Sequence, residues 1–121
     1  MMYLASPYSH PDPVVRERRF RAACSAAATL MKRGHAVFSP IAHCHVIAEH
    51  GLPTNWAYWQ AYDRDHLMHC DEVIVLMLSG WQKSAGVQAE IRLARELHKP
   101  ISYVEPEELI YGTNATAAGG A

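Results

Sequence analysis

The stretch that most constrains this chain is Asp71–Glu90, DEVIVLMLSGWQKSAGVQAE. After two acids it runs through six apolar residues, Val73 to Leu78, then breaks at Ser79-Gly80. A short, unbroken apolar run ended by a turn signal reads as a strand buried on both faces. Beyond the break, Val87, Ile91, Ala94 and Leu97 recur at helix spacing with polar residues between them. A strand, a loop of small residues and a helix start with Glu90 in its second turn make a candidate ligand site at the carboxyl edge of a parallel sheet.

The remaining elements repeat this strand and helix alternation. Met2–Ala5 reads as a first strand that stops at Ser6-Pro7. The proline-dense Ser6–Pro13 is a loop, and Asp12-Pro13 caps a helix from about Val14 to Arg33 that Gly34 ends. Ala36–Ser39 is a second strand, Ile41–His50 a short helix, and Trp56–His69 a helix capped by Thr54 or Asn55. The central strand Val73–Leu78 and the helix Gly86–His98 follow, then a fourth strand, Ile101–Val104, with one more helical turn at Pro106–Ile110. The expected architecture is α/β: an open parallel sheet of four to five strands with helices on both faces, a flavodoxin- or Rossmann-like three-layer sandwich. Residues 1–110 form one domain, and residues 111–121 are a tail low in bulky side chains.

Composition narrows the function classes. Eleven basic and twelve acidic residues give a net charge of -1, which argues against a nucleic-acid groove or a polybasic membrane patch. No apolar run approaches the ~20 residues needed to span a bilayer, and Met1-Met2-Tyr3 lacks the basic start of a signal peptide. Three scattered cysteines, Cys24, Cys44 and Cys70, fit a reducing compartment, so a cytoplasmic location is expected. His43-Cys44-His45 and His66-x-x-His69-Cys70 hold zinc-type ligands, but their separations do not match structural zinc spacings, and no metal is expected. Without a P-loop, dinucleotide glycine fingerprint, G-x-S-x-G elbow or H-E-x-x-H, no cofactor is expected either.

The acids around the central strand are the chemical candidates. Asp63 and Asp65 lie in the preceding helix, while Asp71 sits at the amino edge, away from the crevice, and reads as framework. Glu90 is one turn inside its helix, where the side chain leans back toward the loop. The positive helix end is expected to keep that carboxylate ionised. An ordinary first-turn glutamate, common at this place in a helix, is the alternative.

Three segments resemble the nucleoside 2-deoxyribosyltransferase superfamily, which includes the deoxynucleoside 5′-monophosphate N-glycosidases. Tyr3-Leu4-Ala5-Ser6-Pro7-Tyr8 is similar to its opening strand and loop. Tyr62-Asp63, followed eight residues later by Cys70-Asp71, resembles its acid ahead of the central strand. Ser84-Ala85-Gly86-Val87-Gln88-Ala89-Glu90, followed by Lys99-Pro100-Ile101, resembles its Ser-x-Gly-x-x-x-Glu, helix and strand. The resemblance runs in order from Tyr3 to Val104.

The resemblance implies cleavage or exchange of the N-glycosidic bond of a nucleoside or nucleoside 5′-monophosphate. Glu90 would be the nucleophile at C1′ and Asp63 the acid assisting the base, with Asp65 a competitor for that role. Ser6, Ser84 and Gly86 would face the sugar and its 5′ group. Tyr8 stands where phosphate-specific relatives tend to carry an arginine, for which Arg16, Arg18 or Arg19 could substitute. Asn114 lies roughly where transferases bring an asparagine from a neighbouring subunit, and a homodimer or larger homo-oligomer is implied. Trp56, Trp59 and Tyr62 could stack on a base or fill a core or interface, and Trp81 could cover the ligand or an interface. The alternatives are a nucleotide-binding or sensing module without turnover, and an oligomeric interaction protein.

Overall fold

The computed structural model describes residues 1–111. Four strands, β1 (Met2–Ala5), β2 (Val37–Phe38), β3 (Glu72–Leu76) and β4 (Ile101–Val104), form one parallel sheet in the order β2-β1-β3-β4. Four α-helices accompany them: α1 (Pro13–Lys32), α2 (Pro40–Ala48), α3 (Trp56–Met68) and α4 (Ala85–Glu96). The expected open α/β sandwich, with four strands and helices on both faces, is the observed one.

Strand alternation explains the two layers. Leu4 of β1, with Ile74 and Leu76 of β3, packs against Ala26, Ala27 and Leu30 of α1. The intervening Tyr3, Ala5, Val73 and Val75 face the other way, onto Leu67 of α3 and Val87, Ile91 and Ala94 of α4. A strand covered on both faces needs no polar positions, hence the unbroken apolar run of β3. The alanines of α1 bring that helix close to the sheet, and Thr29 donates to the Leu109 carbonyl at 2.6 Å. That bond fastens a wide, π-type turn, Glu107–Tyr111, where the sequence predicted an ordinary helical turn.

Element ends follow the available partners. β3 stops at Leu76, two residues short of the apolar run, because Ala5 and Val104 are the last residues paired on its two sides. Met77 still reaches the Val104 carbonyl, and the chain then turns through Gly80 at a φ of 92°. β2 is an edge strand of two residues, since Ser39 leaves it to cap α2 by accepting from the Ala42 amide. Asp12, Asn55 and Ser84 cap the other three helices in the same manner. His98, at a φ of 55°, ends the turn after α4, and the Lys99 ammonium then holds the last carbonyls of α3. No helix among the described residues is long and apolar enough to cross a membrane.

The chain leaves β1 toward β2 on one side, while β3 and β4 lie on the other. The switch point therefore falls between β1 and β3, where the carboxyl ends of neighbouring strands open a crevice.

Candidate active site

A cleft of about 270 Å³ occupies that crevice on the α3/α4 side of the sheet. Ser6, just past β1, Asp63 of α3 and Glu90 of α4 line it together. Pro40, Ile41, Cys44 and Ala48 of α2 and Trp56 and Trp59 of α3 form an apolar wall. Tyr8, Thr54, Asn55, Lys83, Ser84 and Gly86 surround it.

Each deep residue is positioned by its element. Asp63 stands one turn before the fully buried Leu67, on the face of α3 that meets the sheet, and is 6% exposed. Glu90 lies on the α4 stripe of Val87, Ile91 and Ala94 and is 5% exposed. Tyr3, at the centre of β1, rises beneath it and donates its hydroxyl to Glu90 Oε2. Ser6 Oγ and Asp63 Oδ1 are fully sequestered side-chain atoms without a hydrogen-bond partner among the described residues. Buried polar atoms are normally paired. Both atoms belong to residues that line the cleft.

Burial controls the acids. It pushes the Asp63 carboxyl up to about 7. It drives Glu90 well above the ordinary carboxylate range, against the Tyr3 hydrogen bond, which favours the anion; the nearby Asp63 adds a smaller upward push. The expectation that the helix start keeps Glu90 ionised is therefore corrected. The carboxyl sits in the second turn, below the free amides of the helix end, and desolvation dominates. Burial also raises the Cys44 thiol to about 12, making it an inert part of the wall.

At the edge of the cleft, the Tyr8 hydroxyl lies 2.7 Å from His45 Nδ1, and His45 Nε2 lies 3.3 Å from Glu17. Phe20 stacks on the same imidazole at 4.2 Å. Ser84 Oγ accepts from the Val87 amide, so that hydroxyl is engaged in capping and retains its proton to offer. Gly86 admits the Trp56 indole: a Cβ there would stand 3.1 Å from Trp56 Cε3.

Ser6, Tyr8, Asp63, Ser84, Gly86 and Glu90 thus share one cleft. Asp65 does not; it is exposed and faces a separate depression beside His43 and Tyr62. Trp81 does not line the cleft either. It opens a 3₁₀ turn, Trp81–Lys83, and its ring packs 5.8 Å from Tyr103 of β4. Arg16 and Arg19 spend their guanidinium groups on backbone carbonyls, and neither they nor Arg18 lines the cleft. Lys83 is the cation that does. Asn114 lies outside the described residues. Asp71 is exposed at the amino edge and pairs with the Met1 amine.

Sequence reasoning left out Tyr3 and Lys83. A tyrosine inside a strand buried on both faces was the available signal, because its hydroxyl must find a partner. His45 turns Nε2 toward Glu17 and Glu49, close enough for the three to meet one ion, and its Nδ1 toward Tyr8.

The chain belongs to the family described as "Domain of unknown function (DUF1937)", whose model matches residues 1–106. No curated protein matches it.

Proposed function

We propose that this member of the DUF1937 family is an enzyme that cleaves or exchanges the N-glycosidic bond of a nucleoside or nucleoside 5′-monophosphate. The observation that carries this reading is the pair of buried carboxyls, Asp63 and Glu90, lining one cleft with an apolar indole wall. The resemblance of Ser84–Glu90 to the glycosyl-transferring superfamily supports it independently.

The roles are those that the resemblance implies, set in this cleft. A flat base lies against Trp56 and Trp59, and the sugar lies over Glu90. Glu90 attacks C1′ as a carboxylate, and Tyr3 is the contact that favours this charge against burial. Asp63, held up to about 7, is protonated in about half of the molecules at neutral pH and in that form gives its proton to the departing base. The C1′–N bond breaks, its electron pair and the Asp63 proton go to the base, and a glycosyl ester forms on Glu90. Water or a second base, deprotonated by the Asp63 carboxylate, then attacks C1′ and frees Glu90. Solvent gives a hydrolase, and an acceptor base gives a transferase.

The test is base release from a panel of nucleosides and their 5′-monophosphates, with and without added free base. Glu90→Gln is expected to lower release by roughly three orders of magnitude or more while preserving the fold. Full activity in that variant would exclude the mechanism. A second reading has its own support, since burial opposes the Glu90 anion that turnover requires. Under it the cleft binds a nucleotide without cleaving it, and long incubation gives saturable binding and no free base.

A further inference from the structure

We infer that Arg19 is a positioning residue that ties together the two loops shaping the cleft. The first loop follows β1 and carries Ser6 and Tyr8; the second follows β3 and leads to Lys83, Ser84 and Gly86. Strand pairing ends at Ala5 and Val75, below both loops. Beyond that point no backbone hydrogen bond joins the two loops among the described residues. Arg19 reaches across from α1. Its Nη1 donates to the Ser9 carbonyl at 3.0 Å and to the Tyr8 carbonyl at 3.4 Å, and its Nη2 donates to the Ser79 carbonyl at 3.2 Å.

Two further features fit a fixed guanidinium. Arg19 makes no ion pair among the described residues, so backbone carbonyls are its partners. Gly80, next to Ser79, has a φ of 92°, and a Cβ there would come within 2.9 Å of Arg19 Nη2. To make room for such a methyl group, Nη2 would have to move from its place at the Ser79 carbonyl. The left-handed glycine and the guanidinium thus occupy complementary space. A lysine cannot replace this arrangement, because its ammonium is a point donor without a planar fork.

The tie between loops stands on this geometry alone; its consequence for a substrate rests on the proposed nucleoside chemistry. The test compares the full chain with Arg19→Ala and Arg19→Lys by amide hydrogen exchange. In Arg19→Ala, amides of residues 6–10 and 79–84 are expected to exchange about tenfold faster, while those of β1 and β3 stay unchanged as an internal control of folding. Arg19→Lys is expected to restore protection to one loop at most. Unchanged exchange in either loop of Arg19→Ala, or full protection of both in Arg19→Lys, overturns the inference.

For a substrate that the wild type cleaves, loosened loops are expected to raise KM several-fold with little change in kcat. Unchanged KM in Arg19→Ala overturns the positioning of the cleft. If the wild type cleaves none of the panel, the nucleoside chemistry fails by itself, and the same comparison is read from adenosine 5′-monophosphate quenching of tryptophan fluorescence. Equal quenching curves for wild type and Arg19→Ala, including no quenching in either, then overturn the positioning role.

Discussion

Asp63 and Glu90 are acidic side chains kept where their charges are poorly solvated, and this has a measurable consequence for stability. The Asp63 carboxyl moves from 3.8 to about 7 on folding. The folded protein therefore holds a proton that the unfolded chain releases, and the associated stability, complete below about pH 4, is lost as pH rises through 7. At about 1.4 kcal/mol for each pH unit, the loss is at most about 4 kcal/mol by pH 8. Asp63→Asn is expected to reduce this slope, leaving the part of the same sign that Glu90 contributes, and to be the more stable protein at pH 8, as urea unfolding at pH 5 and pH 8 would show. Tyr3→Phe acts on the other acid. It strips Glu90 Oε2 of its donor and is expected to cost about 1–3 kcal/mol. It should also push the Glu90 titration higher still, since the lost bond favours the anion. An unmoved carboxyl titration by NMR would show that Tyr3 does not control this group.

Among the elements, α3 and α4 decide the shape of the cleft, and they meet where Gly86 faces Trp56. Replacing Gly86 by alanine should help the helix by up to about 1 kcal/mol from backbone propensity. The added methyl would sit 3.1 Å from the indole, so the ring must shift by a few tenths of an ångström. Gly86→Ala is therefore expected to leave thermal stability nearly unchanged while altering Trp56 emission and weakening nucleotide binding. Unaltered emission and affinity would show that the indole has room to spare. The helices were largely legible, because Asp12 and the Thr54-Asn55 pair announce the starts of α1 and α3, and Gly34 and Pro100 mark the limits of α1 and α4; that Ser84 caps α4 was not read. Their ends were less so. The sequence of β3 continues apolar to Leu78, yet pairing stops where its neighbours stop. Trp81 shows the same limit: loop position alone did not reveal that a 3₁₀ turn would direct its ring onto Tyr103.

For the whole molecule, the sheet is the common wall of two cores, and β3 serves both. Leu76, fully buried on the α1 side, is expected to cost about 2–5 kcal/mol when replaced by alanine. Because the acids lie across the sheet from it, Leu76→Ala should shift the urea midpoint without changing the pH slope set by Asp63 and Glu90. A changed slope would reveal coupling between the two layers. The α/β class, the parallel order of elements and the membership of Asp63 and Glu90 in the helices flanking the central strand were determined by the sequence itself. Apolar runs, caps and turn residues act locally, and crossover connections admit few topologies. Tertiary structure decided the rest. It alone placed Tyr3 against Glu90, separated Asp63 from Asp65 by the face of one helix, and left Ser6 and Asp63 beside one cleft with atoms unpaired among the described residues. It also reversed the expected electrostatics of Glu90. A helix start favours a carboxylate by local dipoles, whereas desolvation depends on everything packed around the group, and at Glu90 that packing comes from β1, α3 and α4 together.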